Sequence, residues 1–212
     1  MTNVLYLHGF ASGPSSSKAQ YFRERLQAAD ARVEIPDLAA GDFEHLTITS
    51  QLQAIERTAA ARPLPLIGSS LGGYLAALYA ARHPEVPRVV LLAPAFGFPH
   101  RWLAELGGVT AAEWRRTGKL RVFHYGENRE RDLAYDLIED GARYEDHPAI
   151  GQPALVIHGA RDASVPVRYS EEFACGRPNV TLEIVNSDHQ LLDVLEWMGE
   201  RVEKFLFSDS GQ

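Results

Sequence analysis

A serine hydroxyl is a weak nucleophile in neutral water, and a chain that uses one must also supply a base and a group that orients the base. Ser70 stands at the centre of Gly68-Ser69-Ser70-Leu71-Gly72, a G-x-S-x-G pattern. The apolar residues Leu64, Leu66 and Ile67 precede it, and Tyr74, Leu75, Leu78 and Tyr79 follow at helical spacing. Strand, sharp turn and helix in that order predict a nucleophile elbow, which lifts the serine hydroxyl above the end of a sheet. Side chains at Gly68 and Gly72 would collide with the neighbouring strand and helix, so both positions call for glycine. The helix after the turn aims its N-terminus at the serine, where negative charge gathers during acyl transfer.

In such a fold the acid and the base come later in the chain, in the order Ser, Asp, His. The run Ala154–Gly159 is apolar and leads into Ala160-Arg161-Asp162-Ala163-Ser164-Val165-Pro166, which puts Asp162 on a loop at a strand end. Val180–Val185 alternates and leads into Asn186-Ser187-Asp188-His189, which puts His189 on the next loop. The carboxyl ends of parallel strands gather on one side of a sheet, so Ser70, Asp162 and His189 can meet there. Two backbone amides must then hold the oxyanion: that of Leu71, directly after the serine, and one from the loop after the first strand. His8-Gly9-Phe10 ends that strand, and the Phe10 amide is the expected second donor.

Other residues compete for these roles. Asp188 adjoins His189, but adjacent loop side chains diverge. Asp193 reads as a helix-surface residue and Asp37 as a loop residue, and His158 as a packed strand-end histidine. His45, His83, His100, His124 and His147 lie outside comparable strand-end contexts. No paired-histidine metal spacing, dinucleotide fingerprint or phosphate loop occurs, so neither a metal nor another cofactor is expected.

The elements that must position these residues are legible as alternating apolar runs and helical patterns. Val4–His8, Val33–Ile35, the elbow strand, Arg88–Pro94, Ala154–Gly159 and Val180–Val185 read as strands, the last an outer one. Helical spacing appears at Ala19, Phe22, Leu26 and Ala29, at Ile48, Leu52, Ile55 and Ala59, and from Leu191 to Phe205. The alternation predicts an α/β class: a mostly parallel sheet with helices on both faces. Residues 95–150 break the rhythm, being far too long for an ordinary connection. They read as a cap or lid insertion within one domain spanning 1–212. It has helices around Trp102 and Trp114, and a hairpin that turns at Gly126-Glu127-Asn128. A second run through Leu133, Tyr135, Leu137 and Ile138 is extended or helical. The aromatic residues of this insertion either line an acyl pocket or pack the insertion itself. Ser208–Gln212 reads as a frayed tail.

Composition narrows the functional classes. A chain of 212 residues that is 45% hydrophobic can bury a sizeable core. Its net charge of −7 and lack of a basic cluster argue against nucleic acid. Arg115-Arg116 and Arg129/Arg131 are interrupted by acids and read as solvated faces. The one cysteine, Cys175, excludes an internal disulfide and fits a reducing compartment. No run approaches a membrane span, and the N-terminus carries no signal-peptide pattern, so a cytoplasmic location is expected.

Several blocks resemble a known family. Leu5-Tyr6-Leu7-His8-Gly9-Phe10 with the serine-rich loop and Lys18-Ala19, then Ile67–Tyr74, then Asp162 and His189, resemble the α/β-hydrolase superfamily over nearly the whole chain. Within it they are most similar to the compact YqiA-like bacterial esterases. The resemblance implies a hydrolase fold lacking the first two strands of larger members. It also implies esterase activity on short or medium acyl esters or thioesters, with Ser70, Asp162 and His189 as nucleophile, acid and base. The insertion at 95–150 departs from the family pattern, so no substrate preference is carried over. The expectation is therefore a serine hydrolase acting on a small-molecule acyl ester. Acyl transfer or C–C or amide cleavage by the same residues, and a catalytically silent binding protein, are the alternatives. A homo-oligomer is compatible with the sequence.

Overall fold

The computed structural model describes residues 2–207, and the tail Ser208–Gln212 lies outside them. Six strands form one sheet: β1 (Thr2–Leu7), β2 (Ala31–Glu34), β3 (Leu66–Ser69), β4 (Val89–Leu92), and, beyond a long excursion, two more at Ala154–Gly159 and Val180–Val185. The spatial order begins with β2, then β1, β3 and β4, then the last two strands in sequence order, and every pairing is parallel. The inner strands are mostly apolar because helices cover both faces, with Ser69 and His158 as buried polar exceptions. Leu5, Leu7, Leu66, Val89, Leu91 and Val156 point to one face, and Val4, Tyr6, Ile67, Val90, Leu92 and Ile157 to the other. The first face packs on α2 (Ile48–Ala59) and α3 (Leu71–Arg82). The second packs on α1 (Ser17–Ala28) and on the closing helix at Leu195–Phe207.

Strand ends shift by a residue or two from the sequence expectation, with β1 at Thr2–Leu7 rather than Val4–His8 and β4 at Val89–Leu92 rather than Arg88–Pro94, and two differences have a visible cause. β2 begins at Ala31, ahead of the expected Val33, because Ala31 already pairs with Thr2. It stops at Glu34, and Pro36 two residues on has no N–H to offer the ladder. The closing helix begins four residues later than Leu191. The Asp188 carboxylate accepts the N–H groups of Gln190 (2.8 Å) and Leu191 (3.3 Å), which bends the chain into a turn. Leu191 takes a left-handed φ of 56°, and only after the short 3-10 turn Leu192–Val194 does the helix start.

The excursion between β4 and the next sheet strand carries α4 (Phe98–Leu106), α5 (Gly108–Thr117), β5 (Lys119–His124), β6 (Arg129–Ala134) and α6 (Asp136–Gly141). The strands β5 and β6 form an antiparallel hairpin with six facing pairs. The run from Leu133 to Ile138 splits, with Leu133 in the strand and Leu137 and Ile138 in the helix. Trp114 is wholly enclosed, and its indole N–H donates to the Leu133 carbonyl at 3.0 Å, binding α5 to β6. Buried Asp140 receives the Thr49 N–H and hydroxyl, both at 2.7 Å, and so satisfies a free donor in the first turn of α2. The hairpin turn reaches the loop after β1, where Gly126 N–H meets the Ala11 carbonyl at 3.4 Å. Arg116 pairs with Glu113, and Arg129 with Glu127, on solvated faces, whereas Arg131, also paired with Glu127, is half-buried over the Phe43 ring. After the excursion come β7 (Ala154–Gly159), α7 (Arg168–Ala174), β8 (Val180–Val185) at the sheet edge, and α8 (Leu195–Phe207). Among the described residues, no helix is long and apolar enough to cross a membrane.

Candidate active site

The turn from β3 to α3 holds Ser70 at φ 54°, ψ −119°, a conformation that a side-chain-bearing residue adopts only under constraint. The constraint is visible. Ser70 N–H donates to the Leu92 carbonyl at 2.9 Å, and the Ser70 carbonyl accepts from Gly73 (2.9 Å), Tyr74 (3.1 Å) and Ala95 (3.0 Å). The turn also needs close backbone approach. A methyl group on Gly72 would enter the Leu7 carbonyl of β1, and one on Gly68 would enter the Gly72 carbonyl of α3. The expected collisions with strand and helix are those found.

Asp162 follows β7 and His189 follows β8. The two loops are stitched together by Ala160 N–H to the Val185 carbonyl (2.7 Å) and Arg161 N–H to the Ser187 carbonyl (2.9 Å). Gly159 permits this, because a Cβ there would lie 2.5 Å from the carbonyl oxygens of both Ser187 and Asp188. In this frame His189 Nε2 lies 3.0 Å from Ser70 Oγ, and His189 Nδ1 lies 2.6 Å from Asp162 Oδ2. An unbroken chain of hydroxyl, imidazole and carboxylate results from residues 119 and 27 positions apart.

Asp162 is heavily hydrogen-bonded. Its Oδ1 accepts the Ser164 (2.8 Å) and Val165 (2.7 Å) N–H groups, and His158 Nε2 lies 3.1 Å from Oδ2. Burial alone would raise this carboxyl, but the contacts with His158, His189 and the Val165 amide outweigh burial and hold it well below the ordinary carboxylate range. Asp162 is therefore an anion beside the His189 imidazole. Asp188 uses its carboxylate on its own loop, Asp193 bonds Ser187 Oγ and Arg161, and Asp37 receives the Ala39 and Gly41 amides. None of these three bonds the His189 ring.

The Leu71 amide begins α3, and the Phe10 amide ends the turn after β1. Among the described residues neither amide has a hydrogen-bond partner. The Cβ position at Gly9 lies 3.4 Å from Ser70 Cβ, so this turn runs directly over the serine. His8, beside it, fixes the turn. Its Nδ1 donates to the Gly9 carbonyl (3.0 Å), and its Nε2 accepts the Leu38 N–H (3.3 Å). Burial lowers this imidazole below its ordinary value, which keeps Nε2 free to accept. Lys18 is buried near Asp162 and Asp188. Burial pushes its ammonium down to about 8, with the two carboxylates pulling the other way.

Around Phe10, in the turn after β1, the aromatic rings cluster. The Phe10 ring lies 5.1 Å from Trp102, 5.7 Å from Phe43 and 6.1 Å from Phe98, and Trp102 lies 5.3 Å from Trp114. Arg101, between Phe98 and Trp102 on α4, donates to the Ser164 carbonyl at 2.6 Å and so joins the excursion to the Asp162 loop. Sequence reasoning missed Gly159 and the contact between His158 and Asp162. Only the glycine and histidine at the end of an apolar strand hinted at either. Among the described residues, no group of three or more His, Cys, Asp or Glu side chains is arranged to hold a metal ion.

A parallel sheet wrapped by helices, with an elbow after β3 and acid and imidazole loops after β7 and β8, has the organisation of an α/β-hydrolase. Solved structures share the fold. Alpha/beta hydrolase domain-containing protein 10 from mouse superposes with a TM-score of 0.82 at 18% identity, covering 96% of this chain and 89% of that one. Est1E from Butyrivibrio proteoclasticus gives 0.74 at 20% identity, with 97% and 86% covered. The esterase domain of a Rhodothermus marinus protein gives 0.68 at 19%, with 96% and 85% covered. The chain itself belongs to the family described as Uncharacterised protein family (UPF0227), whose model matches residues 3–206. No curated protein matches the sequence.

Proposed function

We propose that this protein is a serine hydrolase that cleaves carboxylic esters, or thioesters, of small to medium acyl groups through an acyl-enzyme. The observation that carries the proposal is the Ser70–His189–Asp162 chain, with contacts of 3.0 and 2.6 Å. His189 Nε2 takes the Ser70 proton as Oγ attacks the acyl carbonyl, and the Phe10 and Leu71 amides donate to the oxyanion. Asp162 holds Nδ1–H, orients the ring and stabilises the imidazolium. His189 then returns the proton to the departing alcohol or thiol. A water, deprotonated by the same imidazole, releases the acid and restores Ser70. Losing one oxyanion donor would cost about 10²–10³ in rate.

Residues 95–150 act as a cap over this site, and the Phe10, Phe98 and Trp102 rings form the wall against which the acyl chain lies. That the structural neighbours include a protein titled an esterase domain is consistent with this reading. The lone cysteine suits action in the reducing cytoplasm.

The test is hydrolysis of p-nitrophenyl acetate and butyrate, with fluorophosphonate labelling. Wild type is expected to turn over and to label on Ser70. Ser70→Ala is expected to fold normally, lose nearly all turnover and fail to label. A folded Ser70→Ala protein that retains wild-type turnover overturns the assignment.

A further inference from the structure

His158 is the second-to-last residue of β7, and its side chain is wholly buried. Its ring touches three groups from one stretch of chain. Nδ1 lies 2.7 Å from the Ser170 hydroxyl on α7. Nε2 lies 2.8 Å from the Val165 carbonyl and 3.1 Å from Asp162 Oδ2. A carbonyl oxygen and a carboxylate oxygen can only accept, so Nε2 carries a proton in either charge state of the ring. The serine hydroxyl can donate or accept, and it completes the set.

The oxygen that His158 faces is the one that His189 uses. Asp162 Oδ2 sits between two imidazoles, with His189 Nδ1 at 2.6 Å and His158 Nε2 at 3.1 Å. The two loop amides of Ser164 and Val165 hold only the other oxygen, Oδ1. Without His158 the carboxylate keeps one anchored oxygen, and the one that bonds the base is steered by the base alone. We propose that His158 is a positioning residue, holding Asp162 Oδ2 in line with His189 and sharing its negative charge. This rests on the serine-hydrolase reading of Ser70, His189 and Asp162.

A packing role and a positioning role predict different kinetics. Packing alone would let an apolar side chain of similar volume replace the ring. Positioning predicts a loss in kcat with little change in KM, because His158 is enclosed and does not reach the substrate. Shared charge adds a signature in pH. The ionisable groups around Asp162 are His158 from β7, His189 from the loop after β8, and Lys18 from α1, which Asp188 also acts on. When the His158 donor is removed, the Asp162 charge falls more fully on the protonated His189 ring. The acidic limb of kcat/KM then moves to higher pH.

The experiment compares wild type, His158→Leu and His158→Gln on p-nitrophenyl butyrate between pH 5 and 9. His158→Leu is expected to lower kcat roughly 10–100-fold, with KM within about twofold. Its acidic limb is expected to lie at higher pH than that of wild type. His158→Gln, which returns an N–H near the Nε2 position, is expected to recover most of the rate and restore the limb. A folded His158→Leu protein with wild-type kcat and an unmoved limb overturns the proposal. So does a His158→Gln protein no better than His158→Leu.

If His158→Leu does not fold, imidazole 15N–1H spectra of the wild type and of Asp162→Asn decide. The proposal requires a protonated, slowly exchanging Nε2 on His158 whose resonance moves in Asp162→Asn. An unprotonated Nε2, or a resonance that does not move, refutes it. If wild type neither turns over nor labels at Ser70, the hydrolase reading has failed, and the spectra still report whether His158 holds Asp162.

Discussion

Replacing Gly159 by alanine adds one methyl group where the loops after β7 and β8 meet. Its Cβ would stand 2.5 Å from the carbonyl oxygens of both Ser187 and Asp188, where ordinary contact begins near 3.4 Å. The chain leading to His189 must therefore retreat by about 0.9 Å, since rigid backbone and not a flexible side chain is in the way. Two consequences follow. The Arg161 N–H to Ser187 carbonyl bond, now 2.9 Å, stretches, and with the overpacking costs about 1–3 kcal/mol. Moved by the same amount, His189 Nε2 would stand about 3.9 Å from Ser70 Oγ, outside hydrogen-bond range. A misplacement of that size costs about 10²-fold in rate. The assay is kcat on p-nitrophenyl butyrate together with thermal unfolding. Gly159→Ala is expected to lose about two orders of magnitude in kcat and roughly 3–10 °C in Tm. Gly151→Ala serves as the control, because nothing lies within 4 Å of its Cβ position, and it should match wild type. A Gly159→Ala protein with wild-type kcat and Tm would show that the two loops are not held by this close approach.

Three further outcomes are expected. Lys18 in the unfolded chain keeps its proton to about pH 10.4, whereas in the folded chain burial brings release near 8. The unfolded state thus binds more protons between those values, and stability should rise with pH across that window by about 3 kcal/mol from this residue. Urea titrations at pH 7 and 10 check it: Lys18→Met should flatten the rise, and an equal rise in the variant would count against the buried ammonium. Asp140→Ala removes the acceptor for the Thr49 N–H and hydroxyl and is expected to cost about 1–3 kcal/mol in the same titration. Unchanged stability would mean that the contact between α6 and the start of α2 is dispensable. Trp102→Ala opens the wall beside Phe10 and should raise KM for a p-nitrophenyl octanoate about tenfold or more, leaving the acetate within about twofold. Equal effects on both esters would place the acyl chain elsewhere.

The sequence by itself determined the strand, turn and helix of the elbow, and its constraint at Gly68 is local, since a Cβ there meets the Gly72 carbonyl four residues on. The demand for glycine at position 72 is tertiary, because a Cβ there would meet the Leu7 and His8 carbonyls at the end of β1. The sequence also determined the alternation of strands and helices, and with it the side of the sheet where Ser70, Asp162 and His189 lie. The hairpin in the excursion could be anticipated from its turn, but the division of Leu133 to Ile138 between strand and helix could not, since both forms suit that run. Tertiary structure alone decided which face each inner strand residue joins, because both faces are apolar and no polar alternation marks them. It alone decided that His158 and His189 share one carboxylate oxygen and that the Phe10 ring meets Trp102. The physical reason is distance along the chain. A turn obeys the sterics of its own few residues, whereas such contacts follow from strand order and loop pairing, which no short stretch of residues encodes.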